Sequence, residues 1–272
     1  MKQPAMSTLD QSGQEWRHFA DVFHRLRSPL RPTPGDVARI AGAIAGSDTR
    51  VLLLGATPEL ARLGETLIAV DYSPRVIAAV WPGDDQTHRA MIGDWTQLPF
   101  PGQAFDAVIG DGSLNAASGH AGAVLAEIRR VLTPGGRAVF RAFCSPECAE
   151  SLAAIAADVA AGWPGNVHAL KWRIAMSLAA GREHAIVPVT AILDAFDATF
   201  PDRAAVAAAT GWAADEIATL DAYRGADHSL GFPTLPRLRE LGAAHFAACE
   251  IHPGTGYPLA ERCPTIALQT GG

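Results

Sequence analysis

Asp71 and Asp94 each stand at the end of a short apolar stretch, and each is followed by an aromatic ring, Tyr72 or Trp95. A carboxylate at a strand end can accept hydrogen bonds from ribose hydroxyls, the role the spacing gives Asp71. An acid next to an aromatic suits adenine: Asp94 can take the exocyclic amine while the Trp95 ring covers the base. Ahead of Asp71, the run Val51 to Leu54 stops at the turn Gly55-Ala56-Thr57-Pro58-Glu59. That turn lets a ligand approach backbone N–H groups, yet it holds a single glycine where a dinucleotide site uses G-x-G-x-x-G. Pro58 removes an N–H, and Glu59 puts negative charge where a phosphate would sit. A phosphate-free nucleoside carrying a cation is tolerated better. Downstream, Asp111-Gly112-Ser113-Leu114-Asn115 is a small and polar strand end that leaves room for a reacting group. Arg31, in the proline-rich connector SPLRP, is placed to bind a carboxylate through both arms.

The elements that must carry these residues follow from periodicity. Val51–Leu54 and Leu67–Val70 read as buried parallel strands, with a helix from Pro58 to Leu63 between them, capped by Thr57. Ser73-Pro74 opens a helix to about Val80; His88–Ile92 and Phe105–Ile109 are the third and fourth strands. Ala121–Leu132 is helical, with Glu127 and Arg130 on one surface, and Thr133-Pro134-Gly135-Gly136 turns into a strand from Arg137 to Phe143. Strands alternating with helices make an α/β domain with a parallel sheet. From about Pro146 to Gly225 the chain turns Ala-rich and helical. Helices are expected over Glu147–Ala161, Val167–Ala180, Thr190–Phe200, Asp202–Ala209 and Ala213–Arg224, with no strand among them. A helix over Phe232–Leu241 and strands over His245–Ile251 and Cys263–Leu268 close the domain. In front, Gln14–Leu26 has the spacing of an amphipathic helix, suited to capping the pocket or packing on the sheet edge, and Thr33-Pro34-Gly35-Asp36 starts another. The expected divisions are a helical cap at 1–46, a core from 47–145 plus 230–272, and a helical insertion at 146–229. An insertion after a strand end lies over the ligand crevice, where it can serve as a lid.

Composition narrows the partners. The 272 residues carry a net charge of −6 and 49% hydrophobic residues. With no basic block, nucleic acid is a poor partner. No apolar run approaches the ~20 residues of a membrane helix, and MKQPAMSTLDQSGQEW lacks a secretory core. Four cysteines without a CxxC pair read as reduced thiols, and a cytoplasmic setting is expected. No HxxE or HExxH points to a metal site.

The combination of VLLLGATPEL, AVDYSPRVI, GDWTQLPFPGQAFDAVIGDGSLN and EIRRVLTPGGRAVF resembles the class I S-adenosylmethionine-dependent methyltransferases, in particular the small-molecule type 11 branch. The resemblance covers roughly Arg50 to Phe143 well and the end of the chain loosely. It implies a Rossmann-like seven-stranded sheet in the order 3-2-1-4-5-7-6 with the seventh strand antiparallel, so the helical insertion falls between strands 5 and 6. It also implies S-adenosylmethionine as cofactor. Gly55, Ala56 and Thr57 would pass beneath its methionine part, Asp71 would bind the ribose, and Tyr72 would lie by the adenine. Asp94 would take the amine with Trp95 beside it, and Asp111 and Gly112 would line the methyl-donor end. The family's acid before the first glycine is Leu54 here, and the later glycines are absent. Arg31 and Trp16 are the candidates to compensate.

Methyl transfer from a sulfonium is an in-line displacement whose leaving group needs no acid. His120, His168 and Tyr223 are candidate bases, none of them assigned as catalytic. His168 and Trp172 are four apart and share a helix face; with Ser113 and Asn115 these residues make the expected acceptor side. The acceptor is expected to be a small molecule, and the apolar insertion is equally suited to a homodimer surface. Two alternatives stand beside this expectation: a protein that binds S-adenosylmethionine as a sensor without turnover, and an NAD(P)-dependent oxidoreductase, disfavoured by the missing glycines and by Glu59.

Overall fold

The computed structural model describes residues 21–271, apart from 45, 47, 48 and 183. Most of the expected Gln14–Leu26 helix, with Trp16, lies outside the described residues.

Thr33 opens helix α1 (Pro34–Ala43) with a reciprocal cap: its side chain accepts from the Asp36 N–H, and the Asp36 carboxylate accepts from the Thr33 N–H. The central strands are β1 (Arg50–Leu54), β2 (Thr66–Asp71), β3 (His88–Ile92) and β4 (Phe105–Asp111). Val51 to Leu54 are all buried, as an apolar run covered on both faces must be. Helix α2 (Pro74–Val80) joins β2 to β3 and is capped by Ser73, whose hydroxyl accepts from the Val76 N–H. Helix α3 (Ala121–Val131) leads into β5 (Leu132–Arg141). Glu127 and Arg130 do more than pair on its surface. The Glu127 carboxylate accepts the Leu98 N–H, and Arg130 donates to the carbonyls of Leu98 and Phe100, which pins the β3–β4 loop.

Between β5 and the closing elements the chain forms α4 (Leu152–Ala160), α5 (Val167–Ala179), β6 (Ile186–Pro188), α6 (Val189–Thr199), α7 (Arg203–Thr210) and β7 (Ser229–Gly231). The chain closes with α8 (Leu235–His245), β8 (Ala248–His252) and β9 (Thr265–Gln269). The main sheet runs β3-β2-β1-β4-β5-β9-β8, with β9 antiparallel to β5 and to β8. In order along the sheet this is the seven-stranded pattern expected; only the labels move, because β6 and β7 intervene. Among the described residues no helix is long and apolar enough to cross a membrane.

Several expectations need correction. The β1–β2 connection spans only residues 55–65, too short for a full crossover helix. It makes a single tight turn over Pro58–Leu60, and the Thr57 side chain caps nothing. The Thr133–Gly136 turn is a register shift inside β5, because Leu132 already pairs with Phe105. In the insertion, β6 and β7 form a two-stranded antiparallel ribbon where no strand was expected. Strands of three residues containing Pro188 and Gly231 leave no period to read. The helix expected from Glu147 starts at Leu152, behind a Ser151 cap. The one expected over Ala213–Arg224 splits into an α turn (Ala214–Ile217) and a tighter coil (Ala218–Tyr223). The one expected over Phe232–Leu241 begins at Leu235, behind Thr234.

The insertion is packed onto the sheet ends. Its apolar cluster, built on Ile155, Leu170, Ile174, Ile192 and Phe196, runs on into Phe143 after β5 and Leu259 and Cys263 before β9. Burial of this continuous surface, at about 25 cal/mol per Å² of apolar area, holds the insertion in place.

Candidate functional site

A cleft of about 750 Å³ opens at the carboxyl ends of β1, β2, β3 and β4, where parallel sheets of this order place ligands. Gly55, Ala56 and Thr57 line it after β1, Asp71 and Tyr72 after β2, and Asp94 and Trp95 after β3. Asp111 to Ser113, with Asn115, line it after β4; Arg31 comes from the N-terminal connector; Trp172 and Tyr223 come from the insertion, and His120 from the turn before α3. Thus the residues singled out from the sequence converge, with two exceptions. Trp16 lies outside the described residues. His168 does not line the cleft.

His168 is fully buried, because α5 is buried almost all round and not along one face. Burial, helped by the charge of Lys171, pulls its imidazole down to about 3, so it is neutral and inert as a base. Trp172, one turn later, does reach the cleft and meets Phe143 and Phe232 edge-on, with ring centroids 5.4 Å apart in each pair. Four-residue spacing gave the pair a common face but could not say how far along the helix the cleft extends.

At the β1 end, Gly55 has φ +102°, the left-handed region that favours glycine, and its N–H donates to the Val70 carbonyl at 2.8 Å. A Cβ built there would meet nothing nearer than the Trp95 ring at 4.0 Å, so the turn keeps an open shelf beside that ring. The Trp95 ring is held by its Nε1, which donates to the Val70 carbonyl at 2.7 Å. The indole is a fixed wall between the β1 turn and the β2 end.

Asp71 is 9% exposed, and one carboxylate oxygen accepts the Ser73 N–H at 2.8 Å. Burial pushes its carboxyl up to about 6, against the pull of that hydrogen bond. Asp94 is exposed; its Oδ1 accepts from the Thr96 N–H and hydroxyl, each at 2.7 Å. Ile92, half exposed, lines the cleft between these two acids.

Asp111 is more committed than expected. Arg141, fully buried at the end of β5, holds it with Nε to Oδ1 at 2.5 Å and Nη2 to Oδ2 at 2.9 Å. Arg141 also reaches the Tyr257 hydroxyl at 3.2 Å and lies 3.8 Å from Asp36. Burial works against the Arg141 charge, but the Asp111 carboxylate outweighs it and holds the guanidinium above its ordinary value. This network was missed because its members come from α1, β4, β5 and the loop before β9, and no local spacing links them. Ser113 and Asn115 are spent on backbone. The Ser113 hydroxyl donates to the Leu54 carbonyl, while Asn115 donates to the carbonyls of Phe143 and Gly231 and accepts the Phe143 N–H. Gly112, with φ +65°, faces the Phe143 ring, which a Cβ would meet at 2.7 Å.

Arg31 pairs with Glu59 at 2.5 Å, and its guanidinium lies 4.8 Å from the centre of the Phe23 ring. The insertion side is apolar and neutral. Tyr223 is 6% exposed, and burial raises its phenol; His228, also missed from the sequence, is pulled down by burial to about 4. Among the described residues, the Trp172 indole N–H is buried without a hydrogen-bond partner.

Residues 55–140, which supply most of the sheet side of this cleft, match the family model described as "Methyltransferase domain". A demethylmenaquinone methyltransferase of Corynebacterium glutamicum is 40% identical over 123 residues, 45% of this chain and 48% of that protein. One from Mycobacterium marinum is 37% identical over 121 residues, 44% of this chain and 47% of that protein. The chain spans about half the length of the curated relatives it matches. Among solved structures, a Rhodobacter sphaeroides protein bearing the name of Zn-dependent alcohol dehydrogenases superposes with TM-score 0.60 at 12% identity, over 96% of this chain and 98% of that one. At that identity it speaks to the fold alone. In residues 55–140, and in the sheet order that carries them, the chain is similar to methyltransferase domains.

Proposed function

We propose that the protein transfers a methyl group from S-adenosylmethionine to a small-molecule acceptor bound in this cleft. The observation that carries the reading is Asp71. It is a carboxylate stripped of water at the end of β2, next to the open Gly55 shelf and lining a cleft large enough for a nucleoside and a second molecule. A buried carboxylate with spare lone pairs is satisfied by hydroxyl donors, and the two hydroxyls of a ribose supply them.

The residues present fit the cofactor by their chemistry. Asp71 accepts the ribose hydroxyls. Ile92 and Tyr72 give the adenine an apolar bed, and Asp94 accepts its amine through the oxygen not engaged by Thr96. Gly55, Ala56 and Thr57 lie along the methionine part. Arg31, steadied by Glu59, is the group for the carboxylate at its end and stands in for the acid and glycines missing from the β1 turn. Asp36, Glu59 and Asp111 outnumber Arg31 and Arg141 around this end, an excess of negative charge suited to a cation. When bound, the cofactor supplies an electrophilic methyl group on a positive sulfur. The chain's part is alignment and the exclusion of water, and such positioning can lower a barrier by ~7–11 kcal/mol.

The insertion, residues 146–229, forms the acceptor side and acts as the lid. Trp172, Tyr223 and Phe143 present ring surfaces. The relatives named for demethylmenaquinone are consistent with a flat, largely apolar acceptor. The test is a thermal-shift and methyl-transfer screen with labelled S-adenosylmethionine. Stabilisation by the cofactor and by S-adenosylhomocysteine, together with label passed to a member of a quinol and phenol panel, supports the reading. Binding without label transfer to any acceptor favours the sensor, and stabilisation by NADH alone contradicts both.

A further inference from the structure

Lys171 is a buried charge that the fold does not repay. It lies on α5, 1% exposed, and its ammonium donates to the neutral Thr219 hydroxyl at 3.1 Å. No carboxylate pairs with it among the described residues. An ammonium placed so costs stability, and such groups persist where a charge has work to do. Its Nζ sits 5.5 Å from the centre of the Tyr223 ring. Tyr223 is itself more than nine-tenths buried, lines the cleft, and makes no hydrogen bond through its hydroxyl to a described residue. Trp172, the next residue along α5, also lines the cleft, while its indole N–H lies buried and unpartnered. One neutral donor, the Tyr223 hydroxyl, therefore stands at the cleft with a cation behind its ring. The cleft's carboxylates, Asp71, Asp94 and Asp111, come instead from the strand ends on the cofactor side.

Resting on the methyl-transfer reading above, we propose that this corner is an oxyanion site. The acceptor binds as a phenolate or enolate, its oxygen taking the hydroxyl of Tyr223, while the Lys171 ammonium behind the tyrosine ring supplies the opposing charge. Lys171 is a positioning residue that acts through Tyr223. The proton of the acceptor is lost to bulk water before binding, so the cleft needs no protein base. That accords with a buried, neutral His168 and a Tyr223 phenol whose burial keeps it protonated. Around Lys171 the facing groups are His168 on its own helix and Thr219 and Tyr223 on the coil packed against it. An arriving anion stabilises the charged lysine and is stabilised by it.

The probe is 4-nitrophenol, whose colour reports its ionised fraction, titrated with pH in full-length protein saturated with S-adenosylhomocysteine. The wild type is expected to bind it as the anion and to lower its apparent pKa below the value in water. Lys171→Met should weaken the preference for the anion by about tenfold, and Tyr223→Phe, which keeps the ring, should weaken it in the same direction. His120 and His228 line the cleft in every variant, so they cancel in the comparison. If Lys171→Met fails to fold, Tyr223→Phe alone decides. A bound dye that titrates identically in wild type and variants overturns the proposal, as does dye that binds only as the neutral phenol or not at all. Failure of S-adenosylhomocysteine itself to bind overturns the methyl-transfer reading, and this proposal with it.

Discussion

Arg141 and Asp111 meet in a two-point ion pair, Nε to Oδ1 at 2.5 Å and Nη2 to Oδ2 at 2.9 Å, that ties the end of β5 to the end of β4 at the wall of the cleft. Both side chains are almost wholly shielded from water. Such a pair contributes little net stability when intact, but removing one member strands the other charge. Asp111→Asn is therefore expected to destabilise the protein by roughly 3–5 kcal/mol in urea unfolding, whereas replacing both residues by apolar ones of similar size should cost much less. Equal losses in the single and double variants would show that the pair is not coupled as described.

Arg31 and Glu59 predict a discrimination between ligands. S-adenosylhomocysteine carries the amino-acid end, and 5′-methylthioadenosine does not. Arg31→Met should weaken the first by about tenfold in calorimetry and leave the second unchanged, because only the first offers a carboxylate to the guanidinium. Glu59→Gln should give a smaller loss of the same selectivity, since it unpins Arg31 without removing it. A parallel loss for both ligands would place Arg31 elsewhere in the binding process.

Lys171 sets a pH dependence of stability. Burial brings its folded-state pKa down to about 7 from the ordinary 10.5. Above the ordinary value both folded and unfolded lysine are neutral, and burial has no charge penalty. As pH falls below it, the unfolded chain takes up a proton that the folded chain refuses until about 7, so stability declines across that window. Below about 7 the penalty is complete. Denaturant melts should show this slope in the wild type and its loss in Lys171→Met, which should be more stable at neutral pH by roughly 3–5 kcal/mol. A less stable Lys171→Met with the same slope would contradict the burial described.

The core of the fold was legible because its signals are local. The aliphatic run of β1, the acid that ends β2, the Ser73-Pro74 start of α2 and the closing antiparallel pair each follow from a few adjacent residues, and the sheet order follows from their alternation with helices. The cleft lining was legible for the same reason: strand ends in a parallel sheet converge whatever the loops do. The misses share a different cause. β6 and β7 pair Ile186–Pro188 with Ser229–Gly231 across some forty intervening residues, with no alternation to betray them. The Arg141–Asp111–Asp36–Tyr257 network likewise exists only once the chain is folded. His168 was misplaced because shared helical phase with Trp172 says nothing of depth, and α5 is buried on every side. Lys171 was passed over because a lysine in an alanine-rich helix ordinarily faces water.

Titration of S-adenosylhomocysteine into wild type and Asp71→Asn across pH tests the central claim most directly. Ribose hydroxyls donate to the ionised carboxylate, and the free protein holds Asp71 at about 6. Affinity should be full above that pH and fall as pH drops through it, as the carboxyl takes up the proton that competes with the ligand. Asp71→Asn should bind about 10- to 100-fold more weakly at neutral pH, with a flat profile through that region. Saturable binding that weakens in this way would support the account; no binding by the wild type, or equal binding by the two proteins at every pH, would contradict it.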